Sequence, residues 1–125
     1  MNKRILYIED MRNCYDSTKD TFDGVRICWI KKITPKFDRI IGHLKKYDSI
    51  LVDVNLNESK PDTKEGLEII KKLKKFSEYI PIVCVSSWDY REESKQAGAD
   101  LFMFKLQLWV KGKSELEKLL DKDGG

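Results

Sequence analysis

Histidine is nearly missing from this 125-residue chain, which has one, and the three cysteines (Cys14, Cys28, Cys84) form no CxxC pair. So few soft ligands at such spacing exclude a zinc knuckle and argue against a disulfide framework, so a reduced, cytoplasmic protein is expected. Long apolar runs are missing as well. None approaches the ~18–20 residues of a bilayer span, and no signal-peptide pattern precedes the first apolar segment. Charge of one sign is not in excess: 24 Lys+Arg against 21 Asp+Glu leave +3, too little to predict nucleic-acid or membrane binding. There is no internal repeat, low-complexity tract or linker. What remains is 41% apolar and 36% charged residues, the balance of a folded globular chain. A single domain over residues 1–125 is expected, long enough to bury roughly 65–70% of its unfolded surface.

Two kinds of segment alternate. Arg4–Ile8, Val25–Ile30, Ser49–Val52, Pro81–Val85 and Leu101–Phe104 are short and rich in β-branched or aromatic residues. Several are apolar almost throughout, as strands buried on both faces are. Between them lie helical spacings. Met11, Cys14, Thr18 and Phe22 form a weak first stripe ended by Asp23-Gly24; Phe37, Ile40, Ile41 and Leu44 form a second, preceded by Pro35. Ile69, Ile70, Leu73 and Phe76 form a third, with lysines 71, 72, 74 and 75 opposite as a solvated face. A fourth helical segment, Tyr90 to Ala97, has almost nothing to bury, which predicts a weakly held element. A fifth helix is expected from Ser114, where Glu117 completes a capping-box pattern. Five strands alternating with five helices predict an α/β fold: a five-stranded parallel sheet with helices on both faces. The polar stretch Asn57–Glu65 (NESKPDTKE) interrupts the rhythm, and loops of that length are usually functional or mobile.

In such sheets the functional crevice lies beyond the carboxyl ends of the strands. Those ends carry Glu9 and Asp10, then Asp53, then Ser86 and Ser87, then Lys105. Three carboxylates at one crevice repel one another unless positive charge sits among them, and one lysine cannot neutralise three. Oxygen ligands without histidine or thiolate suit a hard cation such as Mg2+. A metal, a lysine and a hydroxyl around a free carboxylate make a phosphoryl-transfer site whose product is an aspartyl phosphate. Each residue has a blander reading. Glu9-Asp10 alone could be a helix N-terminal acid pair, Ser86 a helix cap and Lys105 a snorkelling surface lysine. Asp53 resists that treatment, because Ile50-Leu51-Val52 has no structural need to end in a buried acid. His43, the only histidine, is most simply a surface or half-buried side chain, which argues against a phosphohistidine carrier.

Ile8-Glu9-Asp10, Ile50 to Leu56, Pro81 to Ser86 and Ala97 to Lys105 together resemble the response-regulator receiver domain of two-component signalling, over nearly the whole chain. The resemblance implies a flavodoxin-like sheet order 2-1-3-4-5, and no attached output domain. It makes Asp53 the phosphoacceptor, with Mg2+ held by Glu9, Asp10, Asp53 and the backbone carbonyl of Asn55. Ser86 and Lys105 would contact the phosphate, and Ser86 and Phe102 would switch together. Asn55 and Trp88 stand where receivers tune phosphate lifetime. A histidine kinase or phosphotransfer protein would be the donor. A downstream protein would read the face built from the fourth helix, fifth strand and fifth helix. The chain would not be a turnover enzyme.

Three departures stand out. Leu106 follows Lys105 where receivers usually have a proline, often cis; a non-proline cis bond costs about 3–4 kcal/mol, so a different or trans turn is expected. The Asn57–Glu65 loop is longer than usual, without proline directly after Leu56. Trp88 is bulky enough to shield an acyl phosphate from water. Two other readings stay open: a haloacid-dehalogenase-like phosphatase, which would want a second acid at Asn55 and its nucleophile on the first strand, and a receiver-shaped docking module that is never phosphorylated.

Overall fold

The computed structural model describes residues 3–31, 42–56 and 64–124. Strands β1 (Arg4–Ile8), β2 (Arg26–Ile30), β3 (Ser49–Asp53), β4 (Ile82–Ser86) and β5 (Leu101–Phe104) form one parallel sheet in the order β2-β1-β3-β4-β5. The described helices are α1 (Arg12–Thr21), α2 (Glu65–Phe76), α3 (Arg91–Ala97) and α4 (Lys105–Gly124), with a 3-10 turn at Leu44–Lys46. The helix expected around Phe37, Ile40 and Ile41, and most of the Asn57–Glu65 loop, lie outside the described residues; Leu44 itself is buried in the 3-10 turn and Glu65 opens α2.

The sheet separates two apolar layers. On one face Leu6, Ile8, Ile50, Val52, Ile82 and Cys84 meet Leu67, Ile70 and Leu73 of α2 and Ala97 of α3. On the other, Ile5, Tyr7, Leu51, Val83, Val85 and Met103 meet Phe22 and Leu108 and Leu116 of α4. Alternate residues of β1, β3 and β4 feed opposite layers, which is why those strands read as unbroken apolar runs. At the sheet edge, β2 keeps Arg26 and Cys28 exposed.

Helix α4 corrects the sequence reading. It begins at Lys105, directly after β5, and not at Ser114. The Ser114-x-x-Glu117 pattern imitates a cap, but the Ser114 hydroxyl donates back to the Lys111 carbonyl within the helix (3.0 Å). Gly112, a weak helix former, sits inside α4 because a Cβ there would meet Leu108 at 2.9 Å and the Phe22 ring at 3.0 Å. No peptide bond among the described residues is cis, so the expected difference at Lys105-Leu106 is met by a helix starting at the lysine.

The other helices behave as their sequences suggest. In α3 only Ser94 and Ala97 are buried, and Gly98 ends it in the left-handed region (φ 113°). Gly24 (φ 79°) makes the turn after α1. One of the four lysines of α2 leaves its solvated face: Lys74 pairs with Asp100 at 2.8 Å, and that carboxylate also accepts the Ile82 amide.

Gly66, in the first turn of α2, packs against the end of β3 so closely that a Cβ would lie 1.9 Å from the Asp53 carbonyl oxygen. Backbone cannot yield as a side-chain tip can, so Gly66→Ala is expected to destabilise the fold by about 3 kcal/mol or more. Chemical denaturation measures this; a loss below about 1 kcal/mol would show that α2 docks less tightly than this contact requires.

Candidate functional site

Parallel pairing builds the site. Ile8 lies opposite Val52 in the β1–β3 register, so the residues that follow, Glu9 and Asp53, emerge side by side at the carboxyl end of the sheet. Both share the sheet face of Tyr7 and Leu51, under α1 and α4. Glu9 is fully buried and Asp53 is 2% exposed. Lys105 reaches between them from the start of α4, its Nζ 3.3 Å from Glu9 Oε2 and 3.4 Å from Asp53 Oδ2. The same ammonium donates to Cys14 Sγ on α1 (3.3 Å). Asp10 completes the cluster: it is half-buried, and one oxygen from each of Glu9, Asp10 and Asp53 lies within 4.8 Å of the others.

Each carboxylate is oriented differently. Asp53 Oδ1 accepts the Asn55 amide (3.2 Å). Glu9 Oε1 accepts the Met11 amide (3.2 Å), and its Oε2 accepts the Tyr7 hydroxyl (3.1 Å). The N-cap of α1 is Met11, with no side-chain cap, so the Glu9-Asp10 pair does not serve as the helix cap. Asp10 Oδ1 is buried without any partner. A bare buried carboxylate oxygen is rare and costly, and it is what an oxygen-binding cation would satisfy.

One buried cation against two buried anions decides the protonation. Burial, then the charge of Asp53, pushes Glu9 up to about 9, so at neutral pH it keeps its proton and is hydrogen-bonded to Asp53. Burial raises Asp53 too, opposed chiefly by the Lys105 charge. For Lys105, burial acts downward, but the Asp53 and Glu9 carboxylates outweigh it and hold the ammonium firmly charged. Burial also raises the Cys14 thiol, which therefore stays a neutral acceptor.

The remaining expected site residues are on β4, just after it, and on β5. Ser86, fully buried at the end of β4, accepts the Trp88 amide at its Oγ (3.0 Å). Trp88 itself is 66% exposed. Phe102 is half-buried on β5, edge-on to Phe104 at 5.2 Å. Tyr7, Cys14 and Trp29 are not among the expected site residues; in the sequence Cys14 reads as part of a helical stripe and Trp29 as a core or rim aromatic. Tyr7 was legible, since it precedes Glu9 by two residues and so shares its sheet face. Trp29, stacked on Tyr15 (4.8 Å), donates from its indole to the Glu9 carbonyl (2.6 Å), a contact no sequence pattern announces. His43 is exposed.

No family model and no curated protein sequence matches this chain. Solved structures do. A CheY-like response-regulator receiver domain protein from Methanospirillum hungatei superposes with a TM-score of 0.75 at 22% identity, covering 99% of this chain and 98% of that one. A response regulator from Thermotoga maritima gives 0.76 at 17% identity, covering 97% and 99%. The receiver domain of a histidine kinase from Arabidopsis thaliana, solved with Mg2+ and BeF3−, gives 0.69 at 19% identity over 96% and 90%. The chain has the receiver fold, with the expected strand order.

A buried acid with a raised pKa makes stability depend on pH. Between about 4.5 and 9 the folded chain retains a Glu9 proton that the unfolded chain has released, so stability falls as pH rises through that window. Without divalent metal, Glu9→Gln is expected to melt a few degrees above the parent near pH 8.5 and to lose that advantage near pH 5. Parallel pH profiles for the two proteins would contradict a proton held on Glu9.

Proposed function

We propose that this chain is a phosphoacceptor receiver, taking a phosphoryl group onto Asp53 from a histidine kinase or phosphotransfer protein. The observation that carries the reading is Asp53 itself: a buried carboxylate at the end of a central strand, paired with Lys105 and clustered with two further acids, in a receiver fold. In the transfer, an Asp53 oxygen forms the new P–O bond as the P–N bond to the donor imidazole breaks, and the imidazole takes up a proton as it leaves. Glu9, Asp10, Asp53 and the Asn55 carbonyl are the groups that would hold Mg2+. When bound, the ion supplies positive charge that offsets the phosphoryl oxygens.

The chain's own residues have separate tasks. Lys105 already contacts Asp53, so a phosphoryl group there would replace Glu9 as its second partner. Ser86 accepts a hydrogen bond from Trp88, which leaves its own O–H to donate to a phosphoryl oxygen. A shift of Ser86 would open room for Phe102, passing the change to the face formed by α3, β5 and α4. That face suits a protein partner: Leu106 and Val110, one turn apart on α4, are 73% and 83% exposed. Among the described residues no helix is long and apolar enough to cross a membrane. A phosphatase of the haloacid-dehalogenase kind is disfavoured, because Asn55 occupies the general-acid position and Asp53 lies on β3. No turnover of phosphomonoesters is expected.

Incubation with acetyl phosphate and Mg2+ is expected to add one phosphoryl group by intact mass, lost in Asp53→Asn and without the metal. No adduct under those conditions would favour an unphosphorylated docking module. The Trp88 backbone amide donates to Ser86, and the bulk of its side chain is read as a shield of the acyl phosphate against water. Trp88→Ala is therefore expected to shorten the phosphoryl half-life several-fold, about 1 kcal/mol in the hydrolytic barrier. An unchanged half-life would remove the shielding role.

A further inference from the structure

The amino-terminal end of the sheet, opposite to Asp53, carries a second concentration of charge. Arg4 of β1 and Arg26 of β2 are direct partners in the parallel register, and both are exposed. Like charges so placed are unfavourable unless something negative lies between them. Lys46, from the 3-10 turn that precedes β3, approaches the same place. With Ile27, Cys28 and Tyr47 these cations line a cavity of about 380 Å3. Among the described residues, none of Arg4, Arg26 and Lys46 forms an ion pair. The neighbouring carboxylate, Asp48, accepts the Arg4 backbone amide at 2.9 Å.

The lining narrows the ligand. Three cations without an ion pair among the described residues, two of them guanidinium forks, suit a group with at least two negative charges and several oxygens, as phosphates have. The cavity is at the small end of the ~300–1,000 Å3 range for small-molecule sites, which leaves room beyond inorganic phosphate. The rest of the wall is not ionic: Ile27 and Tyr47 are both half-buried. An aromatic face beside a cationic pocket accepts a planar base as well as its phosphates. The cations form a compact cluster and not a stripe, so a nucleic-acid strand fits poorly.

We propose that this cavity binds a nucleoside phosphate, its phosphates against Arg4, Arg26 and Lys46 and its base against Tyr47 and Ile27. The site is separate from the Asp53 cluster and does not depend on its chemistry.

The test uses the full-length Asp53→Asn protein in EDTA, so that neither metal nor phosphoryl transfer operates at the other end. ADP is titrated by calorimetry and by amide chemical shifts. One site is expected, with shifts at Arg4, Arg26, Ile27, Cys28, Lys46 and Tyr47. Adenosine and pyrophosphate, each half of the ligand, are expected to bind about tenfold or more weakly. Arg26→Gln and Lys46→Gln, both at exposed positions, are each expected to weaken ADP about tenfold, with circular dichroism confirming the fold. Lys71→Gln makes the same charge change on α2 and is expected to leave binding unchanged. The proposal is overturned by no binding at millimolar ADP, by pyrophosphate binding as tightly as ADP, by equal losses in Lys71→Gln, or by shifts confined to the opposite end of the sheet around Glu9 and Asp10.

Discussion

Two buried carboxylates share one buried ammonium at the end of the sheet, and the rest of the site follows from that shortage of positive charge. Parallel pairing of β1 with β3 makes Glu9 and Asp53 neighbours. Lys105 arrives from the far side of β4 and contacts both. Removing the lysine would leave two acids in a medium that penalises even one uncompensated charge, a far larger loss than that of an exposed ion pair. With the lysine in place the count is still short by one. The molecule closes the gap with a proton on Glu9, while Asp10 adds a carboxylate oxygen that nothing satisfies. Such a cluster still has an open position for more cationic charge.

Holding this arrangement requires rigid backing on both sides. Below β3, Gly66 brings the start of α2 against the Asp53 backbone, so β3 cannot shift without moving the helix. Above, α4 begins at Lys105 itself, and Leu108 and Leu116 anchor that helix in the apolar layer. A lysine at the first position of a helix anchored one turn later by the buried Leu108 has little freedom to swing away. A helix therefore does the aiming that a proline turn does in the sequences this chain resembles. Helix α3 contrasts with both. With two small residues buried over seven, it is, among the described helices, the one least able to resist displacement, and it borders the strand that carries Phe102.

Much of this was legible before any coordinates. The central strands announced themselves as apolar runs ending in polar residues, and that same feature picked out Glu9, Asp53, Ser86 and Lys105. The misses have physical causes. The capping-box pattern at Ser114 is a local signal, and it was outvoted by the burial of Leu108 and by the room that Gly112 provides for Phe22. Lys74 was counted with a solvated face because helical spacing assigns direction but not reach; its long side chain extends to Asp100. Cys14 and Trp29 reach the site through packing between elements distant in sequence, which no single-segment pattern encodes.

Net charge shows the same limit most plainly. A sum of +3 describes a nearly balanced chain, but the fold brings particular like charges together at each end of the sheet. Acids gather where strands β1 and β3 finish, and arginines meet where β1 and β2 begin. Arg4 and Arg26 are 22 positions apart in the sequence and look unrelated there; strand register makes them opposite numbers. Parallel sheets do this systematically, because every strand presents the same end to the same side. A residue type favoured at strand starts is therefore concentrated at one pole and one favoured at strand ends at the other. Composition averages the two poles away. In a parallel α/β chain, charge is better counted by strand terminus than by total, since a ligand meets the local field and not the sum.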